Sequence, residues 1–222
     1  MMKFNAVTLF LCLLLSAKAQ EKVFIPERGE GISFNTSSLM IVGADASYIP
    51  SWRANSQEMQ FLREHHLGLS HFGVAYGIGY SGHFYHGNLH VNVDSDGTQS
   101  IGFINDREYA SNRFATEYLD GIIEFRFRST SNNLGRYTRL YIGGVIGYLA
   151  DSYSYFNSDI YRVKFYNLGG FSTLRYGTYV KFGRGPLNLY YYYGLNPIVT
   201  SGVLTSELET ATSQNIGFSV TL

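Results

Sequence analysis

The sequence predicts an all-β fold: a closed antiparallel up-and-down transmembrane β-barrel of about eight strands. A cleavable signal peptide is predicted to precede it. Three observations predict this fold. Segments of about ten residues alternate between apolar and polar side chains. The connections between these segments are alternately short and long. Glycine (24 residues) and tyrosine (19) are abundant and only 15% of the residues are charged, which favours strands and turns over long helices.

Residues 1–19 are predicted to be the signal peptide. Lys3 precedes an apolar run from Ala6 to Leu15, and Ala17-Lys18-Ala19 is typical of the small-residue pattern before a cleavage site. The apolar run is too short for a membrane anchor. The sole cysteine, Cys12, lies within it, so the mature chain is expected to hold no disulfide.

The mature chain is expected to comprise an irregular periplasmic segment, residues 20–36, and the barrel, residues 37–222. Loss of Lys3 and Lys18 leaves 15 basic and 17 acidic residues, a net charge of −2. This balance offers no basic face for a nucleic acid, and none is expected as a partner.

The barrel strands follow in order. The first two are expected near Leu39–Tyr48 and Glu58–Leu67, and in the second Arg63 falls on the otherwise apolar face, where lipid would disfavour it. The clearest alternation marks the others, at Phe72–Tyr80, Tyr118–Arg128, Thr138–Asp151, Thr173–Phe182, Leu187–Asn196 and Asn215–Leu222. The long connections, expected to be external, are Gly82–Thr116, Ser154–Gly170 and Thr200–Gln214.

The strand Tyr118–Arg128 shows which face should meet lipid. Leu119, Ile123 and Phe125 share one face, and acidic and basic residues occupy the other. A soluble β-sandwich would also alternate. Strand lengths sufficient to cross a bilayer, charged residues on the enclosed face and tyrosines near strand ends favour lipid outside.

The enclosed faces carry a group of charged residues that neighbouring strands should point into one lumen. This group has two interpretations. It could form a conduit or a ligand site, or it could be a structural plug of ion pairs. An eight-stranded barrel encloses little more than its own side chains, which favours the plug. The members are Asp120, Glu124, Arg126, Arg128, Arg139, Arg175 and Lys181.

Other groups of polar residues give weaker indications of a functional site, and no catalytic residue, metal or cofactor is assigned. His83, His86 and His90 could face one another across a folded loop and bind a transition metal, but neither a cysteine nor a carboxylate at ligand spacing supports this, and a polar external loop is the preferred prediction. Asn92–Gly97 copies the first half of a calcium loop, yet Phe103 stands where the closing carboxylate is needed, so a hairpin tip is preferred. Candidates for a catalytic set at the rim are Ser81, His83 and either Asp106 or Glu108.

Several segments carry a family resemblance. Ala115–Arg128 (ATEYLDGIIEFRFR) resembles the YLEIPLEFRFR strand of PorT-like outer-membrane barrel proteins of Bacteroidetes-type bacteria. Asn132–Arg136 is similar to that family's next turn, and Ile142–Leu149 to its glycine-punctuated fifth strand. Val163–Gly177 and Leu189–Pro197 resemble its last external loop and seventh strand. The resemblance implies a small barrel in the outer membrane, in a family whose founding member is tied to type IX secretion.

The expected function is that of an integral outer-membrane barrel in a Gram-negative cell envelope, presenting loops or scaffolding a complex and not acting as an enzyme. A link to secretion follows from the resemblance only. A lipid-modifying enzyme with a rim site and a narrow channel are the alternatives. The expected partners are outer-membrane lipid, the assembly machinery that recognises the alternating strand Ile216–Leu222 during insertion, and an envelope protein.

Overall fold

The computed structural model describes residues 31–44, 48–68, 70–93, 97, 99–104, 109–132, 136–159, 162–200 and 208–222. The predicted signal peptide and most of the predicted periplasmic segment lie outside these residues. No helix in the described ranges is long and apolar enough to span a membrane. The strands are β1 Ile32–Val42, β2 Asn55–His66, β3 Phe72–His86, β4 Leu89–Val93, β5 Gln99–Phe103, β6 Ser111–Arg128, β7 Thr138–Asn157, β8 Arg162–Tyr166, β9 Leu174–Arg184, β10 Leu187–Gly194 and β11 Thr212–Thr221.

Eight of these strands form a closed ring in the order β1-β2-β3-β6-β7-β9-β10-β11, and every neighbouring pair is antiparallel. The ring closes through the pairing of β11 with β1. This pairing extends from Ser33, opposite Thr221, to Val42, opposite Thr212. Closure gives each of the eight strands a hydrogen-bonded neighbour on both sides. The predicted all-β antiparallel barrel of about eight strands is confirmed.

The two ends of the ring differ. The connections after β2, β6 and β9 are short and lie at the end where β1 begins and β11 finishes, which we call the turn end. The connections after β1, β3, β7 and β10 are longer and lie at the opposite end, the loop end. The predicted alternation of short and long connections is therefore confirmed.

The prediction of a first strand near Leu39–Tyr48 is wrong, since β1 runs from Ile32 to Val42. Its enclosed face begins with Ser33, Asn35 and Ser37, which are all buried. Small polar side chains on that face, with Thr36 and Ser38 on the other, conceal the alternation. The last residues of the segment predicted to be irregular therefore belong to the sheet.

The predicted connection Gly82–Thr116 is too long, because β3 continues to His86 and β6 already begins at Ser111. The residues between them include the separate hairpin of β4 and β5, in which Leu89 pairs with Phe103. A hairpin was the preferred reading of Asn92–Gly97, although residues 94–96 at its tip lie outside the described part of the chain.

A β-bulge reverses the faces of β7 near the loop end. Tyr118 pairs with Leu149 whereas Glu117 pairs with Asp151, so Ala150 is the extra residue. Beyond the bulge the odd-numbered residues of β7 share the outer face with Glu117. Unbroken alternation along the predicted strand Thr138–Asp151 would place Asp151 on the enclosed face with Arg139, and the bulge makes that prediction wrong.

The outer surface of the ring is apolar around its whole circumference. Ile78 is 69% exposed and faces outward, whereas Lys181 and Glu124, which face inward, are 0% exposed. This distribution is the reverse of that in a water-soluble protein. The outward apolar side chains, here called the apolar belt, include Phe34, Phe61, Tyr76, Ile78, Tyr80, Leu119, Ile123, Phe125, Ile142, Ile146, Tyr148, Val180, Phe182, Leu187, Leu189, Ile216, Phe218 and Val220.

The loops at the loop end pack together into a second, apolar core, which we call the cap. The Phe114 ring lies between those of Tyr85 and Phe171, with centroids 4.4 and 5.3 Å away. Phe171 also forms an isolated bridge with Val199, which joins two loops. The buried members are Leu39, Tyr48, Ala54, Tyr85, Leu89, Val91, Phe114, Leu168, Phe171, Ile198, Val199, Leu208 and Ala211.

Candidate functional site

The lumen of the ring holds the charged residues that the sequence singles out. All seven predicted members, Asp120, Glu124, Arg126, Arg128, Arg139, Arg175 and Lys181, are buried. They come from β6, β7 and β9 and alternate with outward apolar residues, because successive side chains of a strand point to opposite faces. We call them and their partners the luminal charge network.

Glu124 is the centre of this network. One of its carboxylate oxygens accepts a hydrogen bond from Arg126 Nε at 2.6 Å. The other lies 3.1 Å from Lys181 Nζ and accepts a hydrogen bond from the Tyr179 hydroxyl at 2.8 Å. Lys181 also donates to Ser33 and Gln60, at 3.0 and 2.9 Å. The ammonium group and the carboxylate are therefore both paired and hydrogen-bonded, as buried charges must be.

Toward the turn end, Glu64 joins two arginines. Arg126 Nη1 lies 2.7 Å from its carboxylate and Arg128 Nη2 lies 2.6 Å from it. Arg128 Nε also donates to the Tyr141 hydroxyl at 2.8 Å. Glu64 is absent from the predicted set, although it alternates with the outward residues Arg63 and His65, and that alternation is the signal that could have identified it.

Toward the loop end, Asp120 and Arg175 form a bidentate pair. Arg175 Nε and Nη2 donate to the two carboxylate oxygens at 3.1 and 2.9 Å. A third guanidinium nitrogen contacts Nε2 of His83, so His83 also belongs to the network. The planar fork of arginine fits a carboxylate in this way, which fixes both side chains.

The remaining polar contacts extend the network to other strands. Arg139 donates to the Tyr137 hydroxyl at 3.1 Å and lies over the Tyr137 ring, 4.9 Å from its centroid. On β2, the carboxylate of Glu58 accepts hydrogen bonds from Asn35 and Tyr190, both at 2.9 Å. Glu58 was not predicted either.

Luminal glycines make room for these side chains. A Cβ at Gly143 would overlap the Tyr179 ring, which lies directly opposite in β9. A Cβ at Gly147 would overlap the Asp120 carboxylate and come within 2.9 Å of Arg175 Cγ. The aromatic and ionic groups therefore fill the volume that side chains at these positions would need.

The arrangement fills the lumen. The void next to His83 and Arg175 has a volume of about 10 Å³, which is about the space of one water molecule. The paired charges lie in the lumen together with the buried rings of Tyr141, Tyr179, Tyr190 and Tyr192. Of the two readings of these residues, this packing favours the plug of ion pairs over the conduit.

The structure separates the residues of the other predicted sites. His83 points into the lumen, whereas His86, three residues further along β3, lies on its outer face, and His90 packs edge-on against Phe156. Among the described residues, no group of three His, Cys, Asp or Glu side chains could hold a metal ion. Ser81 is buried in the lumen like His83, and Asp106 and Glu108 lie outside the described residues.

Arg63 lies on the outer face of β2, as the alternation predicts. It is three residues from the end of β2 at His66, so it is near the turn end. In the transmembrane barrel that the sequence predicts, a charge at this height would cost about 0–1 kcal/mol, against about 2–4 at the midplane. This position makes the arginine compatible with an otherwise apolar belt.

Comparisons of the chain with protein-family models, with curated proteins and with solved structures found no match. The resemblance to PorT-like barrels therefore stays a prediction from the sequence segments that carry it.

Proposed function

We propose that this protein is an integral barrel of the outer membrane that acts as a non-enzymatic scaffold and presents its loop end to an envelope partner. One observation carries the proposal: a continuous apolar belt surrounds a ring whose interior is ionic. Exposing Leu, Ile, Phe and Val all around a barrel is favourable only in a hydrocarbon solvent.

The filled lumen supports a scaffold over a channel. Ion pairs such as Asp120–Arg175 and Glu124–Lys181 occupy the space that a solute would need. The cap adds an apolar core at the loop end. Planar-bilayer recordings are expected to show no steady conductance for the folded protein.

The loop end offers a surface for a partner. Trp52 in the β1–β2 connection is 87% exposed, with the Arg53 guanidinium 5.8 Å from the centroid of its ring. Ile49, in the same connection, is 54% exposed. Tryptophan and arginine are enriched among the residues that dominate binding energy at protein interfaces. A role in secretion is proposed on the family resemblance alone.

Two measurements test the proposal separately. Membrane integration predicts that the protein needs detergent for extraction and migrates differently on a gel before and after heating. Scaffolding predicts that a specific envelope protein co-purifies from detergent-solubilised outer membranes with the wild type and is lost with Trp52→Ala, while the belt variant Leu189→Ala retains it. A monomer soluble without detergent would refute the membrane location, and the absence of any Trp52-dependent partner would refute the scaffold.

A further inference from the structure

The outer face on the loop side of the apolar belt carries a different set of side chains from the belt itself. It spans the extensions of β3, β6 and β7 and the short strand β8. We call it the basic aromatic face, and its members are Phe84, His86, Arg113, Tyr153, Tyr155, Arg162, Lys164 and Tyr166.

Strand register places these residues in rows. His86 pairs with Arg113, Arg113 with Tyr155, and Tyr155 with Lys164, which gives one row across four strands. The row nearer to the belt runs from Phe84 through Ala115 and Tyr153 to Tyr166. Cations therefore line one row and aromatic rings line the next row toward the belt. The carboxylates of Glu117 and Asp151 lie between the aromatic row and the belt.

The cationic groups lie against the aromatic rings. Lys164 Nζ is 4.1 Å from the centroid of the Tyr153 ring and 4.4 Å from that of Tyr166, both one row closer to the belt. The Arg113 guanidinium is 5.3 Å from the Tyr155 centroid and 5.8 Å from that of Phe84. Both long side chains thus contact rings in the row nearer to the lipid.

No carboxylate neutralises these cations within the described residues. Arg162 donates to the neutral amide oxygen of Asn157 at 2.8 Å, and the ion pairs found in this part of the chain involve other residues. The pKa of His86 is lowered, first by its partial burial and then by Arg113 and Arg53.

The height of the face relative to the belt fits a lipid head group. Glu117 and Asp151 form the first row beyond Leu119 and Tyr148, and Arg113 is four residues further along β6. Four residues of a tilted strand rise by about 10 Å along the barrel axis. A head-group layer is about 5–8 Å thick, and the flexible arginine and lysine stems can span the remaining distance.

We propose that the basic aromatic face binds the phosphate groups of lipid head groups in the leaflet at the loop end. Arg113, Arg162 and Lys164 supply charge-assisted hydrogen bonds to phosphate oxygens. The tyrosine and phenylalanine rings lie beside the cations in the interfacial region, where aromatic residues are enriched in membrane proteins. The inference rests on the proposed membrane location and specifies the lipid chemistry that this location offers.

The test uses the full-length chain folded in detergent micelles, with lipid A as the probe in its bisphosphorylated and dephosphorylated forms. Native mass spectrometry is expected to show that the wild type binds the bisphosphorylated form about tenfold more tightly, a preference equivalent to about 1.4 kcal/mol. Arg113→Gln/Lys164→Gln should abolish this preference. Arg136→Gln/Arg184→Gln, which removes the same charge from the turn end, should retain it.

Equal binding of the two lipid forms by the wild type would overturn the inference, as would an undiminished preference in Arg113→Gln/Lys164→Gln. Heat-modifiable gel mobility shows independently that each variant is folded. These outcomes differ from a failure of the membrane proposal, in which the wild type would stay monodisperse without detergent and show no heat-dependent mobility.

Discussion

The ammonium group of Lys181 lies 3.1 Å from a carboxylate oxygen of Glu124, with both side chains completely buried inside the barrel. Glu124 comes from β6 and Lys181 from β9, two strands that are separated in the ring by β7. The pair therefore joins strands that share no backbone hydrogen bonds. Side-chain contacts of this kind connect strands that are not hydrogen-bonded neighbours.

Removing the charge of Glu124 should destabilise the barrel strongly. Glu124→Gln leaves the ammonium of Lys181 without its carboxylate, and breaking a buried pair from one side costs about 3–5 kcal/mol. Urea titration of the protein folded in lipid vesicles, followed by gel mobility, measures this loss. Adding Lys181→Met should restore part of it, because the unpaired ammonium is then absent. An unchanged urea midpoint in Glu124→Gln would contradict the structural role of the pair.

Alanine substitutions at two neighbouring glycines of β7 should have different effects on the stability of the barrel. Gly143 faces the lumen and a Cβ there would overlap the Tyr179 ring, so Gly143→Ala should cost about 1–3 kcal/mol through overpacking. Gly144 faces outward, where a Cβ would lie 3.8 Å from the Ile123 side chain in ordinary contact. Gly144→Ala should therefore leave the urea midpoint unchanged. The reverse order of effects would show that the faces of β7 are assigned incorrectly.

Two isoleucines of similar exposure test the solvent around the belt. Ile146 is 58% exposed on the belt and Ile49 is 54% exposed at the loop end. In water, arginine at either position would be tolerated. In a bilayer, Ile146→Arg should reduce the free energy of unfolding by about 2–4 kcal/mol, whereas Ile49→Arg should have little effect. The yield of folded protein in vesicles at graded urea concentrations compares the two, and equal behaviour would argue against a lipid environment.

The cap should loosen when its central ring is removed. Phe114 is almost completely buried between Tyr85 and Phe171. Phe114→Ala is expected to cost about 3–5 kcal/mol locally, from lost burial and the cavity it leaves. Limited proteolysis should then cut the loops at the loop end faster, while Ile49→Ala leaves the rate unchanged. Unaltered cleavage in Phe114→Ala would mean that the loops do not depend on this core.

Local alternation was sufficient to predict which face of most strands is enclosed. Phe125 and Glu124 are adjacent in sequence, and their opposite faces follow from strand geometry alone. The same reasoning placed all seven predicted charged residues inside the ring. Polar residues on both faces of β1 concealed its limits, and one extra residue at Ala150 reversed the face of Asp151.

Interactions between distant segments could not be predicted in the same way. Glu64 and Arg126 are 62 positions apart in the sequence, and their pairing depends on β3 lying between β2 and β6 in the ring. The cap likewise combines loops from four separate connections. Its members, among them Leu89 and Ile198, show no shared pattern in the sequence, because only their common position at one end of the ring brings them together.

The pairing of β1 with β11 has a consequence for the order of folding. Residues 33–42 of β1 pair on one side with residues 212–221, so β1 has only one of its two neighbours until β11 has been synthesised. The ring therefore cannot close before β11, its last strand in sequence order, is available. Until then, β1 presents an unpaired edge, which can pair with the edge of another chain.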